Sequence, residues 1–175
     1  MTAPPRALAA LALVAPVVCG ALEPRFDHRD QHGPFVEALV AYDTVAVPGR
    51  ATVSTWRPAL RLAYGLDALG DGNEIILGAQ AALASWSDPD REKVRLALDL
   101  RYRAYFGTEE LKTFFDVGVW APVVSRLAAG PLVSIGLAYD FSRAGGVYAA
   151  GGFATAFGEA RIASFTGSVG GQLRF

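Results

Sequence analysis

The stretch KVRLALDLRYRAYF, residues 93–106, alternates between apolar and polar positions along its whole length. Every second residue from Val94 to Phe106 is apolar, whereas the positions between them carry three arginines and one aspartate. Because successive side chains of a β-strand point to opposite faces, this period of two predicts a strand with one apolar face and one charged face.

The same alternation continues through the chain from Phe35 onward. Clusters of Gly, Pro, Asp and Asn divide this part into segments of about 10 to 14 residues, which is the punctuation of strands and turns. The sequence AAGP at 128–131, for example, is predicted to be a turn. The eight predicted strands are 35–47, 55–68, 74–86, 93–106, 112–125, 132–142, 147–157 and 162–175.

Charge is absent from one face of all eight segments. Over about 48 apolar-face positions we find no Asp, Glu, Lys or Arg, where a chain with 19% charged residues would place about nine. A soluble barrel or sandwich also alternates, with its apolar face turned inward, so periodicity alone does not show which face meets solvent.

Three features favour an apolar face that points outward, toward lipid. The only lysines are Lys93 and Lys112, both near segment ends, and the polar face instead carries Gly, Ala, Ser and Arg balanced by Asp or Glu, which suits a narrow packed interior. Aromatic residues gather near segment ends, as in the interfacial girdles of membrane barrels. The chain also ends on a strand that terminates in Phe175. The aromatic residues near segment ends are Trp56, Tyr64, Tyr102, Phe106, Phe115, Phe141, Phe153, Phe157 and Phe175.

The last strand resembles the C-terminal assembly signal of bacterial outer-membrane barrels, with Phe165, Val169, Leu173 and Phe175 at the matching positions. Together with the eight segments, it makes the chain from Phe35 onward resemble the small eight-stranded barrels of the OmpA, OmpX and OmpW-like class. A closed barrel satisfies every backbone hydrogen bond within hydrocarbon.

The resemblance implies an all-β fold, an eight-stranded antiparallel up-and-down transmembrane β-barrel in the outer membrane of a Gram-negative bacterium. It also implies contact with outer-membrane lipid, recognition of the C-terminal strand by the barrel-assembly machinery, and a monomer. By the usual topology of this class, both ends of the barrel segment face the periplasm.

The N-terminus predicts export. Residues 1–21 read as a cleavable signal peptide, with Arg6 before a short apolar stretch and small residues around a cleavage site. Residues 22–34 form a polar periplasmic segment and 35–175 the barrel. Cys19 is the only cysteine, and the residues before it do not match the lipoprotein pattern, so we expect a mature chain without cysteine.

If the polar face is the interior, its charges cancel, with six acidic residues against six arginines. Buried charge is tolerated when it is paired and hydrogen-bonded, and the planar donor fork of Arg suits this role. We expect Arg101 to lie opposite Asp116, with Asp140 near the same level. The predicted lumen network consists of Glu37, Asp43, Arg57, Arg61, Asp67, Arg95, Asp99, Arg101, Arg103, Asp116, Asp140 and Arg174.

These charges favour a structural or envelope role for a barrel with an ion-paired, largely filled lumen. One alternative is a narrow pore or conduit for small solutes or apolar molecules. Another is a soluble secreted barrel that binds a lipophilic ligand. Adhesion at the cell surface is less favoured, because the outer loops are only about four to seven residues long.

No enzyme, cofactor or metal site is expected. The only histidines, His28 and His32, precede the first strand, so a Ser-His-Asp arrangement cannot be built on the barrel. With Asp27 and Asp30 they could suggest a metal site, but a short polar segment favours a solvated linker. The net charge of −1 gives no reason to expect nucleic acid as a partner.

Overall fold

The computed structural model describes residues 32–46, 49, 52–68, 73–83, 94–107, 110–123, 128–158 and 161–175. The predicted signal peptide, Cys19, His28 and most of the polar segment lie outside these residues. The described part contains eight strands: β1 (Gly33–Ala46), β2 (Val53–Asp67), β3 (Glu74–Leu83), β4 (Val94–Phe106), β5 (Leu111–Val123), β6 (Ala128–Asp140), β7 (Gly145–Gly158) and β8 (Ile162–Arg174).

The strands form one closed barrel. Each strand pairs antiparallel with the next along the chain, and β8 closes the barrel by pairing with β1. The all-β, eight-stranded antiparallel fold predicted from the alternation is therefore confirmed. Among the residues that the structure describes, no helix is long and apolar enough to cross a membrane.

The predicted turn at 128–131 is wrong, because these residues begin β6. Gly130 and Pro131 pair with Trp120 and Val119 of β5, but the pairing with β7 skips both residues. Proline has no N–H to donate to a ladder, so a strand tolerates it where pairing on one side is interrupted. The Gly-Pro pair therefore marks a local gap between β6 and β7 rather than a chain reversal.

The strands are strongly staggered. Following directly opposed residues around the barrel from Thr55 leads back to Asp67, twelve positions further along the same strand. The eight-stranded barrels of enzymes have a stagger of about eight. A larger stagger tilts the strands more and widens the barrel, so large side chains are needed to fill this lumen.

Polar and apolar side chains are distributed in the opposite way to a soluble protein. Ile135, on the outer face, is 63% exposed, whereas the Asp116 carboxylate in the lumen is 0% exposed. Leu77, Leu100 and Val169 are likewise exposed on the outer face. Such a surface is stable against hydrocarbon but not against water. The soluble alternative with an apolar ligand-binding interior is therefore wrong.

Candidate functional site

The lumen has two differently lined halves. We call the half next to the two ends of the barrel segment, Gly33 and Phe175, the terminal half. The half next to Ala46 and Val53 is the distal half. The terminal half contains an ion-pair network of five carboxylates and five cations from seven strands. Its members are Glu37, Arg61, Glu74, Asp99, Arg101, Arg103, Lys112, Asp116, Asp140 and Arg174.

Arg61 joins three strands in the middle of this network. Its Nη1 donates to Glu37 Oε2 at 3.0 Å, and its Nε and Nη2 donate to the two Asp99 oxygens at 3.2 and 2.6 Å. Gly78 on β3 makes room for the guanidinium, because a Cβ at this position would lie 2.5 Å from Nη2. A residue without a side chain thus allows β3 to pass directly behind the ion pair.

Asp116 is the acceptor at the second centre of the network. Arg103 donates to both of its oxygens, at 2.7 and 3.0 Å, and Ser134 Oγ donates at 2.9 Å. Arg101 connects the two centres, because its Nε donates to Asp99 at 2.6 Å and its Nη1 to Asp116 at 3.4 Å. The guanidinium of Arg103 also lies over the Phe114 ring, 4.1 Å from its centroid.

Glu74 and Arg174 form a third centre beside the chain ends. The Nη1 and Nη2 atoms of Arg174 donate to the two Glu74 oxygens at 2.6 and 3.1 Å, and Tyr105 Oη donates to Glu74 at 2.8 Å. The guanidinium of Arg174 lies 4.7 Å from the centroid of the Phe35 ring. Two strands that are far apart in sequence, β3 and β8, are thereby joined across the lumen.

Lys112 and Asp140 form a buried ion pair at the same end, and Gln172 Nε2 donates to Asp140 at 3.1 Å. The sequence analysis missed both Glu74 and Lys112. A signal for Lys112 was present, because it lies four residues before Asp116 and therefore on the same face of its strand. Its position near a strand end does not by itself show whether the side chain points into the lumen.

The remaining predicted network residues lie elsewhere. Asp43 is in the distal half and accepts a hydrogen bond from Thr166 Oγ1 at 2.8 Å, and Arg57 is buried in the same half. Asp67 lies at the rim, where its side chain is 42% exposed and 3.7 Å from His32 Nε2. The side chain of Arg95 is outside the described residues.

Two predicted relations between network residues are wrong. Arg103, not Arg101, lies directly opposite Asp116, because Phe106 pairs with Thr113 and the turn between the strands is centred one residue later than expected. A shift by two residues keeps the same face inward, so the charges still meet. Asp140 does not lie at the height of Arg101 in the lumen. It lies nearer the ends of the barrel segment, where it pairs with Lys112.

The distal half is lined mainly by small side chains. Ala41, Ala59 and Ala82 are buried there beside Leu39, with the larger Tyr148 packed against them, and the inward faces of β7 and β8 add alanine, glycine, serine and threonine. Few of the described side chains in this half are large and charged. The two halves therefore belong to one barrel with a single stagger, but their inward side chains differ greatly in volume.

The predicted C-terminal assembly residues lie on the outside of the barrel. Phe165, Val169, Leu173 and Phe175 all point toward the membrane and are exposed. Among the described residues, no group of three or more His, Cys, Asp or Glu side chains is placed to hold a metal ion.

Several solved structures share this fold. Neisserial surface protein A has a TM-score of 0.63 at 12% identity, covering 82% of this chain and 97% of its own. Ail of Yersinia pestis has a TM-score of 0.51 at 12% identity, with 82% and 99% covered. The N-terminal β-barrel domain of Pseudomonas aeruginosa OprF has a TM-score of 0.50 at 13% identity, with 83% and 100% covered.

Sequence comparison gives a different and shorter match. No family model matches the chain. A stretch of 109 residues, 61% of the chain, is 37% identical to (R)-S-adenosyl-L-methionine hydrolase of Salinispora tropica but spans only 37% of that enzyme. The structural likeness covers nearly the whole barrel, and the inverted polarity of the two faces agrees with it. The chain therefore has the fold of the eight-stranded outer-membrane β-barrels, with its charges inside and its apolar side chains toward lipid.

Proposed function

We propose that this barrel is a structural component of the outer membrane whose lumen is closed by the ion-pair network of the terminal half. The observation that carries the proposal is the balance and connection of the network. Five carboxylates balance five cations there: Arg61 and Arg101 connect six of these groups, and Glu74–Arg174 and Lys112–Asp140 form two further pairs.

The energetics favour a lumen that stays closed. Removing one partner of a buried ion pair costs about 3–5 kcal/mol, because the other charge is left without compensation in a poorly solvated site. A solute passing the terminal half would have to separate several such pairs at once. Thermal opening of the path is therefore rare, and envelope integrity is a better role for the barrel than transport.

The test is conductance of the purified protein in planar lipid bilayers. The wild-type barrel is expected to show no steady conductance. A double variant, Arg61→Ala with Asp99→Ala, removes one charge of each sign and is expected to conduct. The matched control, Leu98→Ala with Leu100→Ala, shortens two lipid-facing side chains of β4, the strand that carries Asp99. This control should show no conductance. Steady conductance of the wild-type protein would refute the closed lumen.

A narrow binding chamber in the distal half is a second candidate. Its support is the set of small, partly exposed inward residues of β7 and β8, such as Gly152, Thr166 and Ser168, above an Arg101 side chain that is 14% exposed. A small polar solute could enter such a chamber without crossing the network. Quenching of Trp120 fluorescence by a neutral polar solute such as acrylamide would favour this candidate.

We further propose that β8 serves as the assembly signal and that the barrel is a monomer without enzymatic activity. The outward row that ends in Phe175 supports the first point, and the short span of the hydrolase match supports the last. Phe175→Ala should slow insertion into outer membranes while refolding into detergent is unchanged. Purified barrel incubated with S-adenosylmethionine should release no more hydrolysis product than a heat-denatured sample of the same protein.

A further inference from the structure

The mouth of the terminal half is bordered by His32, the residue directly before β1. Its Nε2 lies 3.7 Å from an Asp67 oxygen at the end of β2, and its Nδ1 lies 3.8 Å from a Glu74 oxygen at the start of β3. The imidazole therefore stands between two carboxylates from neighbouring strands, with one of its nitrogens near each carboxylate.

The conformation of Gly33 brings the imidazole to this place. Phe35 is buried on the inward face of β1, so the alternation of a regular strand would turn His32 outward. Gly33 has a φ of 133°, which residues with a side chain rarely adopt, and the resulting bend directs His32 back over the mouth. Gly65 lies directly opposite Gly33, and a Cβ there would lie 2.7 Å from Glu74 Oε1. Two glycines thus make room for the imidazole and the carboxylate to meet.

A neutral imidazole cannot donate to both carboxylates. It has one N–H group and one nitrogen that carries only a lone pair, whereas the imidazolium has an N–H group at both positions. An ionised carboxylate oxygen accepts hydrogen bonds and does not donate them. Among the described residues, the buried Nδ1 of His32 has no hydrogen-bond partner. Only the protonated ring can therefore attract Asp67 and Glu74 at the same time.

Other described charged and titratable groups surround the same mouth. Arg174 donates to both oxygens of Glu74, so this carboxylate stays in place when His32 loses its proton. The positive charge of Arg174 opposes part of the attraction between the imidazolium and Glu74, so Asp67 at the rim is needed as a second partner. The surrounding groups are Tyr105, Lys112, Asp140, Arg174 and the main-chain carboxyl group of Phe175.

We propose that His32 is a pH-sensitive latch at the mouth of the terminal half. In mildly acidic medium the imidazolium donates to Asp67 and Glu74 and fastens the start of β1 to β2 and β3. As the pH rises and the ring loses its proton, this attraction is lost and the start of β1 loosens. The latch acts on the mouth of the barrel, so it operates whether or not the lumen conducts.

Hydrogen–deuterium exchange tests the proposal. The full-length protein is reconstituted into lipid vesicles, and exchange of the first residues of β1 is followed by mass spectrometry at about pH 5.5 and about pH 8, on either side of the range in which imidazole titrates. Protection factors, the ratios of intrinsic to observed exchange rates, remove the direct effect of pH on exchange. In the wild-type protein, protection is expected to be about fivefold higher at the lower pH, as for a partly exposed ion pair.

His32→Gln should show equal protection at both pH values, because an amide does not titrate, and Asp67→Asn should show a smaller rise than the wild type. The matched control, His28→Gln, removes the other histidine and should behave as the wild type. Heat-dependent gel migration establishes that each variant is folded. Four results overturn the proposal: no rise in the wild type at the lower pH, an equal rise in His32→Gln, an undiminished rise in Asp67→Asn, or loss of the rise in His28→Gln.

Discussion

The two halves of the lumen are enclosed by the same strands but are lined in different ways. In the terminal half, Arg61 and Arg174 reach beyond their neighbouring strands to carboxylates on β4 and β3, and Arg103 pairs with Asp116 on the adjacent β5. In the distal half, residues such as Ala41 and Ala59 occupy the equivalent inward positions. The stagger sets one width for both halves, so the difference is one of side-chain volume and charge. The proposed closure of the lumen therefore depends on side chains of the barrel wall in the terminal half.

The comparison predicts that the largest loss of stability follows a change in the terminal half. Asp116→Ala removes the acceptor of Arg103, Arg101 and Ser134 and leaves two guanidinium groups without this partner. We expect a loss of about 3–5 kcal/mol in the free energy of unfolding. Urea titration in lipid vesicles, followed by tryptophan fluorescence, measures it.

The matched change in the distal half is Asp43→Ala, which also removes one inward aspartate. Because Asp43 is only partly buried, we expect a loss of about 1 kcal/mol. If the two aspartate variants lost equal stability, the distinction between the halves would not hold.

A second prediction concerns the space that Gly78 leaves beside Arg61, and the expected loss of stability is intermediate. Gly78→Val places a side chain against Arg61, which must then move away from Asp99. Overpacking of this kind costs about 1–3 kcal/mol. Gly151→Ala, on the lipid face where a Cβ meets nothing, is the control and should unfold at the wild-type urea concentration. If Gly78→Val left the free energy of unfolding unchanged, the Arg61 guanidinium could move aside without cost.

The smallest expected effect belongs to the distal half. Thr166→Val keeps the shape of the side chain and removes the hydrogen bond to Asp43. A single hydrogen bond of this type contributes about 1 kcal/mol, so the urea midpoint should fall slightly. Ser134→Ala, which removes a hydrogen bond to the buried Asp116, should cost more in the same titration. The reverse order would count against a more tightly coupled terminal half.

Much of the fold was predictable from the sequence, because a barrel wall obeys a period of two. In β4, the alternation predicted the strand, and its large apolar residues from Leu96 to Phe106 lie on the lipid-facing side as expected. Gly130 and Pro131 misled the prediction, because their effect on pairing depends on β7, which is distant in sequence. Local turn signals cannot show whether only one side of a strand is interrupted.

The lumen was predictable as a set of charges but not as a set of pairs. Pairing depends on register, and the turn between β4 and β5 moved the partner of Asp116 by two residues. Glu74 and Lys112 lie near strand ends, where the sequence does not show how far the lumen extends. The stagger of the whole barrel decides which inward residues lie at the same height in the lumen, and only the structure reveals it.

Access to the lumen from the distal side tests the central claim most directly. In a Cys19→Ser background, Ser168→Cys places a thiol on the partly exposed inward face of β8, and Gln172→Cys places one four residues nearer the chain ends, where Gln172 is buried against Asp140. A charged, membrane-impermeant thiol reagent is added from the distal side of sealed vesicles. The closed-lumen account predicts rapid labelling of the first variant and none of the second. Equal labelling rates would show an open path through the network and contradict it.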